Sequence, residues 1–119
     1  MLREWVEGYV RAWSSNDPEE IGALFTDDAV YLTEPWAQPW RGREGIVAGW
    51  LENRDEPGDA TFEWEPLVET ADVSLLTGTT VYREPPRTYS NIWVIRLEPD
   101  GRCREFVEWY MKHPAPADG

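Results

Sequence analysis

The spacing of apolar residues changes character halfway along the chain, and this change limits the fold more than any other feature. Leu2, Trp5, Val6, Tyr9 and Trp13 recur at helical spacing, so a helix with an aromatic inner stripe is expected over 2–15. Asp17-Pro18-Glu19-Glu20 combines an N-cap acid, proline at the first helical position and glutamate at the third. That string opens a second helix with Ile21, Leu24 and Phe25 on its apolar face. After the turn Thr26-Asp27-Asp28, residues 29–32 suit a short strand. A loop rich in Pro and Trp then leads past Gly42 into a third helix with Ile46, Val47, Trp50 and Leu51 inward. From residue 60 the pattern is that of sheet. Segments 60–70, 72–84, 88–98 and 102–112 are rich in β-branched and aromatic residues, and Pro99-Asp100-Gly101 is the clearest of the turns between them. Helices first and an antiparallel meander after them give an α+β fold, with the helices packed on one face of a curved sheet. Residues 1–113 form one domain, and the composition of 114–119 predicts a flexible tail.

Composition narrows the chemistry. At 119 residues the chain has room for one domain. Asp and Glu outnumber Lys and Arg 23 to 11, and the net charge of -12 repels phosphate backbones and anionic lipid. Neither nucleic acid nor a membrane is therefore an expected partner. No stretch approaches the ~20 apolar residues of a membrane span, and the start lacks the basic and apolar regions of a signal peptide, so the expected location is the cytoplasm. The one cysteine, Cys103, cannot form an internal disulfide, which suits a reducing compartment. The one histidine, His113, puts a zinc site of several His or Cys ligands out of reach, and a Ser-His-Asp arrangement would need the tail to fold back. There is no Gly-rich phosphate loop, and no metal or cofactor is expected. Against this scarcity stand eight Trp, five Tyr and three Phe, more aromatic area than a small core requires.

The element order and several local strings resemble the nuclear transport factor 2-like superfamily, which includes the SnoaL-like polyketide cyclases and the steroid Δ5-3-ketoisomerases. The strings are Tyr9-Val10-Arg11-Ala12-Trp13, Ile21-Gly22-Ala23-Leu24-Phe25-Thr26-Asp27-Asp28-Ala29 and Trp40-Arg41-Gly42-Arg43-Glu44-Gly45-Ile46. The last is Trp93-Val94-Ile95-Arg96-Leu97, which leads through the Asp100-Gly101 turn to Glu108-Trp109-Tyr110. The resemblance implies a cone-shaped, curved antiparallel sheet packed against three N-terminal helices, a cystatin-like arrangement enclosing a deep apolar pocket. It also implies pairing of two copies through the outer sheet face.

The resemblance carries over to particular positions. The isomerases keep a hydrogen-bonding tyrosine sixteen residues before the Phe of their Leu-Phe-x-Asp-Asp-Ala string, and Tyr9 stands at that distance from Phe25. Tyr9 is thus a candidate oxyanion donor, although the residues alone equally make it a rung of the Trp5, Tyr9, Trp13 core stripe. The isomerases carry an acid followed by proline at the end of the first strand, and Glu34-Pro35 resembles that pair, which implies Glu34 as the candidate base. Counted from Asp28-Ala29, however, the family's acid falls at Thr33, so Glu34 reaches the pocket only through a bulge and is otherwise an exposed loop carboxylate. The isomerases' second oxyanion donor falls at Trp93, whose indole N–H is a poorer donor than a protonated carboxyl. Asp27-Asp28 reads as a structural turn.

Alternation along the strands supplies the remaining candidates. Asn91 shares a face with Trp93, and Phe106, Glu108 and Tyr110 share one face of the last strand, with Cys103, Glu105, Val107, Trp109 and Met111 opposite. Glu108 is then either paired with an arginine such as Arg96 or a pocket acid and a second candidate base. Trp13, Tyr31, Trp36, Trp40, Trp50 and Trp64 are candidate walls for a flat or polycyclic ligand. Val107, Trp109 and Met111 add a reason to expect a homodimer. Two functions follow. One is a cofactor-free pocket enzyme, of isomerase, cyclase or hydrolase type, that moves a proton on a small apolar carbonyl compound. The other is a non-catalytic ligand-binding or dimeric protein-interaction module.

Overall fold

The computed structural model describes residues 1–114, so the expected tail lies outside the described residues from 115 onward. Helices α1 (Leu2–Ser15) and α2 (Pro18–Ala23) are followed by strands β1 (Phe25–Leu32) and β2 (Trp40–Arg41) and then by helix α3 (Gly42–Glu52). Four long strands follow, β3 (Ala60–Glu69), β4 (Ser74–Arg83), β5 (Pro86–Leu97) and β6 (Cys103–Lys112). All six form one curved sheet in the order β2-β1-β6-β5-β4-β3. The last four make the expected antiparallel meander. β1 lies parallel to β6, so the sheet is mixed; a parallel neighbour needs a long connection, and α3 with β3 to β5 provides it.

The local chemistry explains the joints. At the α2 start, Asp17 accepts from the Glu19 amide at 2.9 Å, as an N-cap should. Glu20 is not the reciprocal partner of a capping box: Ser15 intervenes, accepting from the Asp17 amide and donating to Glu20 at 2.7 Å. β1 begins at Phe25, four residues before the expected start, because Phe25 pairs with Cys103 of β6, whose amide donates to the Leu24 carbonyl at 2.8 Å, and Arg43 secures the same turn. Its guanidinium donates to the Phe25 carbonyl at 3.1 Å and pairs with Asp27 at 2.9 Å. Thr26 donates to Asp28, and the register against β6 shifts between Phe25 and Val30. At the last hairpin Gly101 takes φ 89°, and its amide closes the turn on the Glu98 carbonyl.

The core fills the space between α1, α3 and the concave face of the sheet. Leu2, Trp5, Val6 and Tyr9 of α1 meet Ile46 and Trp50 of α3, with Leu76, Trp93, Ile95 and Phe106 beneath them. Trp5 spends its indole N–H on the Leu24 carbonyl at 2.9 Å, which fixes α1 against the α2–β1 joint. Gly78 is needed for packing, since a Cβ there would fall 2.5 Å from the Phe62 ring, and Phe62 stacks on Trp93 with centroids 4.5 Å apart.

The expected outward position of Cys103 is corrected. The pairing shifts between Arg96 and Leu97, and this bulge turns Cys103 into the core, where it is fully buried. Beyond the bulge the alternation is as read, and Val107, Trp109 and Met111 face outward beside Ile92. Trp109 is 53% exposed and Met111 73%. Among the described residues, no helix is long and apolar enough to cross a membrane.

Candidate active site

A cavity of about 280 Å³ opens between the concave sheet face and the ends of α1 and α3. Its deep end is aromatic. Tyr9 reaches it from α1 and Tyr31 from β1, and their hydroxyls are 2.7 Å apart. Two phenols in one hydrogen bond use one proton between them, so the pair retains one O–H to offer a ligand. Burial, then each other's proximity and Glu108, hold Tyr9 far above the usual phenol range, and burial followed by Glu108 does the same for Tyr31. Both therefore stay protonated donors. The rings of Trp50 and Trp93 pack on Tyr9 with centroids 4.8 and 4.6 Å away, and Trp40 stacks on Tyr31 at 4.8 Å.

Glu108 enters from β6 opposite Trp93 of β5. Its Oε2 accepts from Asn91 Nδ2 at 2.7 Å and from Trp93 Nε1 at 3.2 Å. Asn91 is held in turn by Thr80, whose hydroxyl donates to Asn91 Oδ1 at 2.8 Å. Burial pushes the Glu108 carboxyl up to about 7, with Glu34 and Asp55 adding to the rise while the two N–H donors oppose it. No salt-bridge partner of Glu108 exists among the described residues. The expected pairing with Arg96 is corrected: Arg96 projects from the outer face, where it binds Glu105 at 3.0 Å.

Polar groups ring the rest of the cavity. Asp55, just past α3, accepts from Trp13 Nε1 at 2.9 Å and from the Tyr82 hydroxyl at 3.2 Å on the same oxygen. Arg87 lies over the Tyr82 ring, 4.0 Å from its centroid, and Arg54 lines the same rim. Thr33 faces the cavity, whereas Glu34 is drawn to its edge by the Thr33 hydroxyl at 2.6 Å and the Tyr110 hydroxyl at 3.0 Å.

The structure thus brings Tyr9, Glu108, Trp13, Tyr31, Trp40, Asn91 and Trp93 around one space. Glu34 sits outside its lining. Trp36 is corrected from pocket wall to surface residue: it lies in the turn closed by the Ala37 amide on the Glu34 carbonyl and is 83% exposed. Trp64 is corrected as well, because β3 is the far edge of the sheet and Arg3 of α1 covers its ring, away from the cavity. Sequence reasoning missed Asp55, Thr80, Tyr82, Tyr89 and Tyr110. The last four follow from carrying the inward face of Trp93 across the β4–β5–β6 register, and only the loop residue Asp55 had no such signal. His113 contacts Ser90 on the outer face, remote from these groups. Among the described residues, no set of three or more His, Cys, Asp or Glu is arranged to hold a metal.

The fold is shared with solved structures of low sequence identity. An NTF-2 like protein of unknown function from Burkholderia xenovorans aligns over 97% of this chain and 87% of its own, with 15% identity and a TM-score of 0.73. A ketosteroid isomerase-like protein from Erwinia carotovora aligns over 94% of each chain, with 17% identity and a TM-score of 0.66. An NTF2-like protein of unknown function from Cytophaga hutchinsonii covers 91% of this chain and 97% of its own, at 14% identity and a TM-score of 0.68. No functionally curated protein matches the sequence. The model of the SnoaL-like domain matches residues 6–106, from the first turns of α1 to the middle of β6, and the chain belongs to that family, within the nuclear transport factor 2-like superfamily.

Proposed function

We propose that the protein is a cofactor-free enzyme that moves a proton on a small, flat, apolar carbonyl compound. Glu108 takes the proton from the carbon beside the carbonyl and returns it, while the free hydroxyl of the Tyr9–Tyr31 pair donates to the oxygen on which negative charge develops. The observation that carries this reading is a carboxyl poised at about 7 in the same cavity as an unspent phenol proton. Such a carboxylate is basic enough to abstract and acidic enough to return a proton near neutrality. The cavity, at about 280 Å³, lies near the small end of the roughly 300–1,000 Å³ typical of ligand sites, which favours a one- or two-ring compound. Its aromatic walls would grip the faces of such a ligand. The fold itself does not choose among reactions, since many functions share it.

A direct test uses 2-tetralone in heavy water, following loss of its enolisable protons by NMR. Exchange above the buffer rate with the wild type, and its loss in Glu108→Gln, is the expected result. Binding of the ketone, seen as quenched tryptophan fluorescence, without exchange across a panel of enolisable ketones would favour the non-catalytic ligand-binding module.

A homodimer through the outer sheet face is part of the proposal. Ile92, Trp109 and Met111 form an exposed apolar cluster there. The single cysteine is free and buried, which supports placing the protein in a reducing compartment such as the cytoplasm.

A further inference from the structure

We infer that Asn91, fixed by Thr80, is a positioning residue that makes the two carboxyl oxygens of Glu108 unequal and leaves Oε1 as the atom that carries and delivers the proton. The inference rests on the reading of Glu108 as the proton-transfer group. It starts from a chain of directed hydrogen bonds across three neighbouring strands, from Thr80 of β4 through Asn91 of β5 to Glu108 of β6. Thr80 and Asn91 are both buried, so neither exchanges these partners freely with water.

The direction of the chain follows from donor and acceptor counting. The Thr80 hydroxyl donates to Asn91 Oδ1, which orients the amide and aims its Nδ2 at Glu108. Trp93 Nε1 can only donate, and it aims at the same oxygen. Oε2 therefore receives two N–H groups, one for each lone pair. A proton placed on Oε2 would displace one of them and strand a buried donor, whereas a proton on Oε1 leaves both in place. The protonated form is thus an Oε1–H acid whose carbonyl oxygen is Oε2, and the ionised form keeps the same two donors. Proton gain and loss at Oε1 then require no rearrangement of the strands behind it.

Other groups act on the same carboxyl. Its charge is felt by Tyr9 from α1, by Tyr31 from β1, by Tyr82 from β4 and by Tyr110 from β6, and Glu34 and Asp55 act on it from the loops after β1 and α3. Arg54, Arg87 and Tyr89 share the cavity rim. Substitutions at positions 80 and 91 leave every one of these in place.

The test is a carbon-13 NMR titration of glutamate carboxyls, with Glu108 assigned by the signal missing in Glu108→Gln. In the wild type its midpoint is expected near 7. Asn91→Leu removes a donor to the charged form and should raise the midpoint by about one pH unit, a roughly tenfold gain in proton affinity. Thr80→Val should shift it in the same direction by less, and Thr80→Ser should restore the wild-type value. Infrared difference spectra provide the second readout. The carbonyl stretch of protonated Glu108 should lie at the low frequency of a doubly hydrogen-bonded C=O and move up in Asn91→Leu. A folded Asn91→Leu protein with an unshifted midpoint, or a wild-type stretch at the frequency of a free carbonyl, overturns the inference. If Asn91→Leu does not fold, the Thr80→Val and Thr80→Ser pair decides by the same midpoint. A wild-type midpoint in the ordinary carboxylate range would instead overturn the functional reading, so the two failures are distinct.

Discussion

Tyr9 of α1 and Tyr31 of β1 join their hydroxyls at 2.7 Å beneath the rings of Trp50 and Trp93, and this contact couples the first helix to the strand that lies parallel to β6. Burial keeps both phenols, together with Tyr82, well above the ordinary tyrosine range. A spectrophotometric titration of the folded protein should therefore leave at least three of its five tyrosines un-ionised where free tyrosine has titrated fully. Unfolding in guanidinium should bring all five into the ordinary range.

Tyr9→Phe keeps the ring in its aromatic cluster and removes one hydroxyl. Loss of a net hydrogen bond predicts a fall in stability of about 1 kcal/mol, measured by chemical denaturation. In the ketone exchange assay Tyr9→Phe leaves the Tyr31 hydroxyl free to donate, whereas the double variant Tyr9→Phe, Tyr31→Phe removes the oxyanion donor and should cost on the order of 10²-fold in rate.

Glu108 also makes stability depend on pH. Its folded-state value of about 7 lies above that of an exposed carboxylate near 4.5, so folding favours the protonated form. Below about pH 4.5 both states are protonated and the group costs nothing; between that point and about pH 7 the folded state loses stability as ionisation is forced on a buried site. Glu108→Gln keeps an oxygen for Asn91 and Trp93 to donate to and never ionises. It should melt several degrees above the wild type at pH 8, with a stability gain of at most about 3 kcal/mol, and match it near pH 4.

Gly78→Ala places a methyl group 2.5 Å from the Phe62 ring, in a sheet that cannot yield without disturbing the stack of Phe62 on Trp93. Overpacking of this kind costs about 1–3 kcal/mol. The loss should appear in denaturation curves, together with a changed tryptophan emission.

Cys103 is fully buried, and burial pushes its thiol up to about 12. A thiol reagent should leave the native protein unmodified for hours at neutral pH and modify one cysteine per chain on unfolding. For the outer face, sedimentation at micromolar concentration should show a dimer, and Trp109→Glu should shift it to monomer without altering the Glu108 midpoint.

Most of the fold was legible because helical spacing, the Asp17-Pro18 start and the Pro99-Asp100-Gly101 turn each act locally. The β1 boundary escaped because the partner that extends the strand to Phe25 is Cys103 of β6, at the far end of the chain, and no local signal shows that pairing. The inward turn of Cys103 escaped for a related reason: a bulge opposite Leu97 inverts a two-residue alternation that the sequence shows unbroken. Among candidate site residues, alternation put Glu108 on one face with Phe106 and Tyr110 but left its partner open, and the strand faces decide it: Arg96 lies on the opposite face of β5 from Asn91 and Trp93. Trp36 and Trp64 show the limit of composition. A tryptophan-rich chain has more rings than its cavity can use, and the edge position of β3 and the turn after β1 decided which were left out.

The parallel pairing of β1 with β6 has a kinetic consequence. β6 is the last of the six strands to be made and yet lies near the middle of the sheet, between β5, made just before it, and β1, made some seventy residues earlier. Until it docks, β1 has only the two-residue β2 beside it, and the carboxyl at position 108 has no partners. Because contacts so distant in sequence form slowly, the sheet should close only once β6 has been made. The nascent chain would meanwhile expose the tryptophans of its first helix, so yield in the cell should depend on chaperones that hold such surfaces apart.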